Sequence, residues 1–98
     1  MTKNEYLLTL LAEECAELSQ TASKALRFTT KKIGPGQKLN NEQRIAQEFF
    51  DLIAIVELLQ ENEVIDYFKV DEQSIENKKN KVAKYMKYST KIGVIKET

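Results

Sequence analysis

Histidine is missing from the 98-residue chain altogether, and cysteine occurs once, at Cys15. Without histidine there is no imidazole general base, no Ser-His-Asp or Cys-His constellation, and none of the common zinc sites. A single cysteine leaves no internal disulfide and fits a reducing cytosol. Neither charge is in excess, with 15 Lys plus Arg against 15 Asp plus Glu, which argues against a dedicated duplex nucleic-acid binder. No apolar run approaches the ~20 residues that span a bilayer, and the first residues form no signal-peptide core. The expectation is a small, soluble, cytoplasmic protein with no membrane segment. Its chemistry must come from carboxylates, lysines, tyrosines, or a metal they hold.

Breakers are scarce too: one proline and three glycines. From about Lys3 to Phe28 there is none, and Leu7, Leu8, Leu11, Cys15, Leu18, Ala22, Ala25 and Leu26 recur at helical spacing. One long amphipathic helix is expected there, with Cys15 as a packing residue. Gly34-Pro35-Gly36 marks a turn, and Asn40 with Gln43 three residues later forms a capping box for a second helix over about Asn41 to Glu61. The middle of that helix, Phe49 to Leu59, is apolar on nearly every side, as expected of a helix surrounded by partners. Asp71 can cap a third helix to about Ser89, with a narrow stripe of Ile75, Val82, Tyr85 and Met86. Val64 to Val70 is expected to be a linker with one helical turn. The whole reads as one all-α domain over residues 1–98. Three such helices cannot cover the central one alone, so a helical bundle completed by oligomerisation, as dimer or tetramer, is expected.

The informative feature is where the acids fall. Glu13, Glu14 and Glu17 occupy one arc of the first helix, with Glu14 at the edge of the apolar stripe. Like charges at spacings of three and four destabilise a helix by a few tenths of a kcal/mol unless something compensates. Glu48 and Asp51, again three apart, repeat the arrangement among Phe49, Phe50, Leu52, Ile53 and Ile55. An ionised carboxylate held there without a partner costs several kcal/mol or shifts its pKa. Arg44, one turn earlier, can pair with one acid and not with five. Hard divalent cations answer this geometry: Mg²⁺ takes carboxylate oxygens and completes its shell with water and phosphates. The competing reading is a solvated acidic face on the first helix and an Arg44-paired acid on the second.

Glu13-Glu14-Cys15-Ala16-Glu17 followed by Glu48-Phe49-Phe50-Asp51 is an EExxE…ExxD pattern. It resembles the MazG-like branch of the all-alpha nucleoside triphosphate pyrophosphohydrolases. The similarity extends through Ala22 to Phe28, Pro35-Gly36-Gln37 and Asn41 to Arg44, and weakly into Lys81 to Ser89. The resemblance implies Mg²⁺-dependent cleavage between the α and β phosphates of an NTP or dNTP, giving the monophosphate and pyrophosphate, with Mn²⁺ as a possible substitute. It implies a homo-oligomer in which two chains build each site. By motif match, Glu14, Glu17, Glu48 and Asp51 would be metal ligands. Glu13 would be the catalytic residue, binding a further metal or orienting the attacking water.

Gly34-Pro35-Gly36 is not a phosphate-cradling P-loop, which needs a following Gly-Lys-Ser/Thr. Side chains must then supply the phosphate contacts. Lys24, two turns beyond Glu17, and Arg27, one turn later, are candidates, as are Lys81, Lys84, Tyr85 and Tyr88 on the third helix. Lys31, Lys32 and Lys38 read as loop charges. Two alternatives stand beside the pyrophosphohydrolase: a non-catalytic metal-binding helical oligomerisation module, and a phosphoribosyl-ATP pyrophosphatase-like enzyme.

Overall fold

The computed structural model describes residues 1–96. It contains α1 (Lys3–Phe28), α2 (Asn41–Glu61) and α3 (Glu72–Lys91), and among the described residues there is no strand beyond one bridge between Ile33 and Asn40. The chain is all-α. Each helix starts where a side chain takes up its first orphan N–H groups. Thr2 Oγ1 accepts from the Glu5 N–H at 3.1 Å. Asn40 and Gln43 bond reciprocally, at 2.8 and 3.0 Å, which is the expected capping box. Asp71 accepts from the backbone of Gln73 and Ser74 and from the Ser74 hydroxyl at 2.8 Å. That hydroxyl, and after it the Ser74 N–H, holds the Asp71 carboxyl below its ordinary value.

The chain divides into two compact units, Met1–Tyr67 and Phe68–Thr98. The second holds α3, which runs two residues past Ser89 and closes at Gly93 (φ 84°). Ile75, Val82, Tyr85 and Met86 are all exposed on it.

The first unit is a helical hairpin. At its loop end, Asn41 Nδ2 donates to the Thr29 carbonyl at 2.8 Å and the Glu42 N–H to the Thr30 carbonyl at 3.0 Å. Further along, the Thr21 hydroxyl meets Glu48, so α1 and α2 run antiparallel. The seam follows helical spacing: Leu7, Leu11, Glu14, Leu18, Thr21 and Ala25 on α1, and Asn41, Arg44, Glu48, Asp51, Ile55 and Leu59 on α2 are buried or half-buried.

This seam corrects two expectations. Cys15 is one residue off it and is exposed, so it is not a packing residue of this chain. Phe49, Phe50 and Ile53 do not surround the acids; they are 50, 59 and 40% exposed on the outer side of α2. At about 100° per residue, the positions next to Glu48 and Asp51 in sequence point elsewhere. The hairpin therefore holds polar groups among the apolar ones between its helices and shows further apolar side chains outside.

Val64 to Val70 contains no helical turn. Instead α2 ends in a reversal, with the Val64 N–H donating to the Leu59 carbonyl at 2.9 Å and the Glu63 N–H to that of Gln60 at 3.0 Å. This is the Schellman pattern, in which glycine usually occupies the left-handed position. Here it is Glu63, at φ 58°. The left-handed backbone costs a non-glycine residue about 1–2 kcal/mol, and the extra freedom of an unfolded glycine gives back about 0.4–1. Glu63→Gly is therefore expected to stabilise the chain by roughly 0.5–1 kcal/mol, read as a higher urea midpoint with unchanged slope. A lower midpoint would contradict the assigned cap.

Candidate metal centre

Of the five acids expected to converge, three, Glu14, Glu48 and Asp51, lie in the seam. Glu14 is half-buried in the α1 stripe, while Glu13 and Glu17 flank it on the exposed side. From α2, Glu48 is buried and Asp51 half-buried. Glu48 Oε1 accepts the hydroxyl of Thr21, a residue with no exposed surface. Asp51 Oδ1 accepts from Gln47 Nε2 at 3.1 Å.

Glu14 is the electrostatic centre of this group. Its Oε2 is buried and has no hydrogen-bond partner. Its carboxyl is raised above the ordinary value, first by desolvation and then by the charges of Glu17, Asp51, Glu48 and Glu13, in that order. Those four are the other members of the motif, drawn from both helices. An acid that is desolvated and faced by like charges is a site poised for a cation. Among the described residues no three acids close their oxygens around one point.

The side-chain counter-ion of the competing reading is absent from this group among the described residues. Lys31–Glu42, in the loop and the first turn of α2, is the one ion pair among the described residues. Arg44 pairs with neither Glu48 nor Asp51, and its Nη1 is buried without a partner. Arg44 as the structural counter-ion is therefore not what the structure holds.

The substrate-binding candidates separate. Lys24 is half-buried in the seam face of α1 and borders a cleft with Phe28, Pro35, Gln37 and Arg44. Arg27 lies outside that lining, with its guanidinium carbon 5.3 Å from the centroid of the Phe28 ring. Lys81, Lys84, Tyr85 and Tyr88 belong to the second unit, on α3. Lys84 and Tyr88 border a shallow concavity there with Lys87, Thr90 and Lys91.

Sequence reasoning passed over Thr21, and the competing reading of an Arg44-paired acid is not what the structure holds. The signal for Thr21 was present: it continues the Leu7, Glu14 series at a spacing of seven, two helical turns.

The raised Glu14 carboxyl has a consequence for stability. Between its ordinary 4.5 and its raised folded value, the native chain binds more protons than the unfolded one. Stability of the ion-free protein must then fall as pH rises through that window. In chelator, the wild type is expected to lose more melting temperature between pH 4.5 and neutrality than Glu14→Gln does. Parallel curves would remove the electrostatic load from Glu14.

No family model, curated protein or solved structure matches the chain.

Proposed function

We propose that this protein is a Mg²⁺-dependent nucleoside triphosphate pyrophosphohydrolase of the MazG-like type, cleaving between the α and β phosphates. The observation that carries the reading is the Glu14 carboxyl, with a buried unpartnered oxygen and the charges of the other four motif acids upon it. A structural acid would have a cation or a donor at that oxygen. This one has repulsion, which a hard divalent ion relieves.

The donors are of the chemical kind such an ion takes, carboxylate oxygens from two facing helices. Glu14, Glu17, Glu48 and Asp51 would hold it. Bound there, Mg²⁺ supplies screening of phosphate charge and acidification of a water. The remaining work belongs to the chain. Thr21 fixes the Glu48 carboxylate by its hydrogen bond. Gln47 does the same for Asp51. Glu13, exposed beside the group, would accept a hydrogen bond from the attacking water and orient it. No histidine is required for this chemistry.

The apolar outer side of α2 supports the oligomeric part of the reading, in which a second copy covers Phe49, Ile53 and Val56. The deciding experiment incubates the protein with Mg²⁺ and a panel of NTPs, dNTPs and phosphoribosyl-ATP, and measures pyrophosphate. Release of pyrophosphate with the matching monophosphate supports the enzyme, and the panel names its substrate. Mg²⁺ binding with no release from any member would make the chain a non-catalytic metal-binding module.

A further inference from the structure

At the loop end of the hairpin, the last turns of α1, the 34–37 turn and the first turns of α2 enclose a cleft of about 140 Å³. Two cations border it, Lys24 and Arg44, together with Phe28, Pro35 and Gln37, and no acid does. Arg44 Nη1 is buried with no acceptor. A guanidinium nitrogen removed from water and left unbonded is costly, more so than a neutral donor. Glu48, one helical turn further along α2, has its Oε1 engaged by Thr21, and Glu42 pairs with Lys31. The cleft therefore has donors and positive charge without an internal partner for them.

Its size limits the occupant. Whole-ligand pockets run to roughly 300–1,000 Å³, so this cleft takes one charged group and not an entire nucleotide. Its position relates that group to the acids. Arg44 precedes Glu48 by four residues, a rise of about 6 Å along α2, and Lys24 follows Thr21, the partner of Glu48, by three. The cationic cleft thus continues the acidic row along the same seam. Its walls are braced: Asn41 Nδ2 ties the start of α2 to the Thr29 carbonyl at 2.8 Å. Thr29 itself sits at φ 83°, ψ 163°, a conformation rarely held without such restraints.

We infer that this cleft is a phosphate subsite, in which Arg44 and Lys24 bind the terminal phosphates of the triphosphate and then the leaving pyrophosphate. The assignment rests on the proposed hydrolase for its place in the reaction. The guanidinium fork matches two phosphate oxygens at once, and an ammonium supplies a point charge beside it. Phe28, with Arg27 against its ring, supplies an apolar part of the lining.

The test uses the full chain, isotope-labelled, without Mg²⁺. Inorganic pyrophosphate is titrated while the amide signals of Phe28, Gly34, Gly36 and Gln37 and the Arg44 side-chain signal are followed. Saturable shifts at these positions are expected. Arg44→Gln should weaken binding about tenfold or more, and Arg44→Lys less, because the charge survives and the fork does not. Lys24→Gln, which leaves the buried guanidinium in place, serves if Arg44→Gln does not fold, and should also weaken it. Mg²⁺ is titrated separately against each variant, following Glu14 and Asp51. Pyrophosphate shifts that miss the cleft, or that survive Arg44→Gln or Lys24→Gln unchanged while Mg²⁺ still binds, would overturn the subsite and leave the hydrolase reading standing. Cleft binding of pyrophosphate with no Mg²⁺ response and no hydrolysis would do the reverse.

Discussion

Glu48→Gln and Asp51→Asn are each expected to abolish pyrophosphate release, with a loss on the order of a hundredfold or more, while leaving the ion-free fold intact. The substitutions keep shape and remove charge. The amide introduced by Glu48→Gln would retain an oxygen to accept the Thr21 hydroxyl, as Glu48 Oε1 does now, so the seam keeps its hydrogen bond. What is lost is ligand charge. Mg²⁺ at about a hundred times its Kd stabilises the native state by roughly 2.7 kcal/mol, and that rise in melting temperature should be blunted in both variants. Without metal, both should be as stable as wild type or more so, since each relieves repulsion on Glu14. Glu57→Gln, exposed on α2 and off the seam, is the control and should change neither activity nor the Mg²⁺ response. Variants that keep full Mg²⁺ stabilisation, or that unfold in chelator, would mean that Glu48 and Asp51 are structural acids.

The second large effect is expected at the outer side of α2. Phe49 and Ile53 are four residues apart and about half exposed in the single chain, and burying the remaining half of such side chains contributes about 1 kcal/mol each. In a two-fold assembly each residue counts twice. Phe49→Asp with Ile53→Asp should therefore weaken association by several powers of ten, converting a dimer or tetramer into a monomer in analytical ultracentrifugation. Helicity should survive, because neither residue lies in the α1–α2 seam. A wild-type protein that sediments as a monomer at micromolar concentration would remove the assembly from the proposed function. So would a double variant that associates as the wild type does.

Much of the helix pattern was legible in the residues. α1 and α2 begin and end where the caps and breakers place them, and Asp71 starts α3 as its side chain predicts. The turn after α2 was less legible, because a left-handed glutamate at Glu63 carries none of the sequence signal a glycine would. The motif acids were visible as spacing, and so was their mutual repulsion. Their surroundings were not. Phe49 and Phe50 stand beside Glu48 in sequence, yet helical rotation turns them outward while Thr21, 27 residues away, supplies the contact.

What the sequence determined by itself is local: three helices and their caps, an acid series at spacings of three and four, and a lack of histidine that excludes imidazole chemistry. The helices and caps follow from backbone hydrogen bonding, side-chain periodicity and residue type, none of which needs a partner far along the chain. The pairing of α1 with α2 was decided by the tertiary structure alone. It put Glu14 rather than Glu48 at the centre of the repulsion, left Arg44 unpaired, gave it a cleft with Lys24 and turned Cys15 outward. The physical reason is that desolvation and Coulomb interaction depend on distances across the seam, and a rotation of one residue about a helix axis changes which groups those distances join.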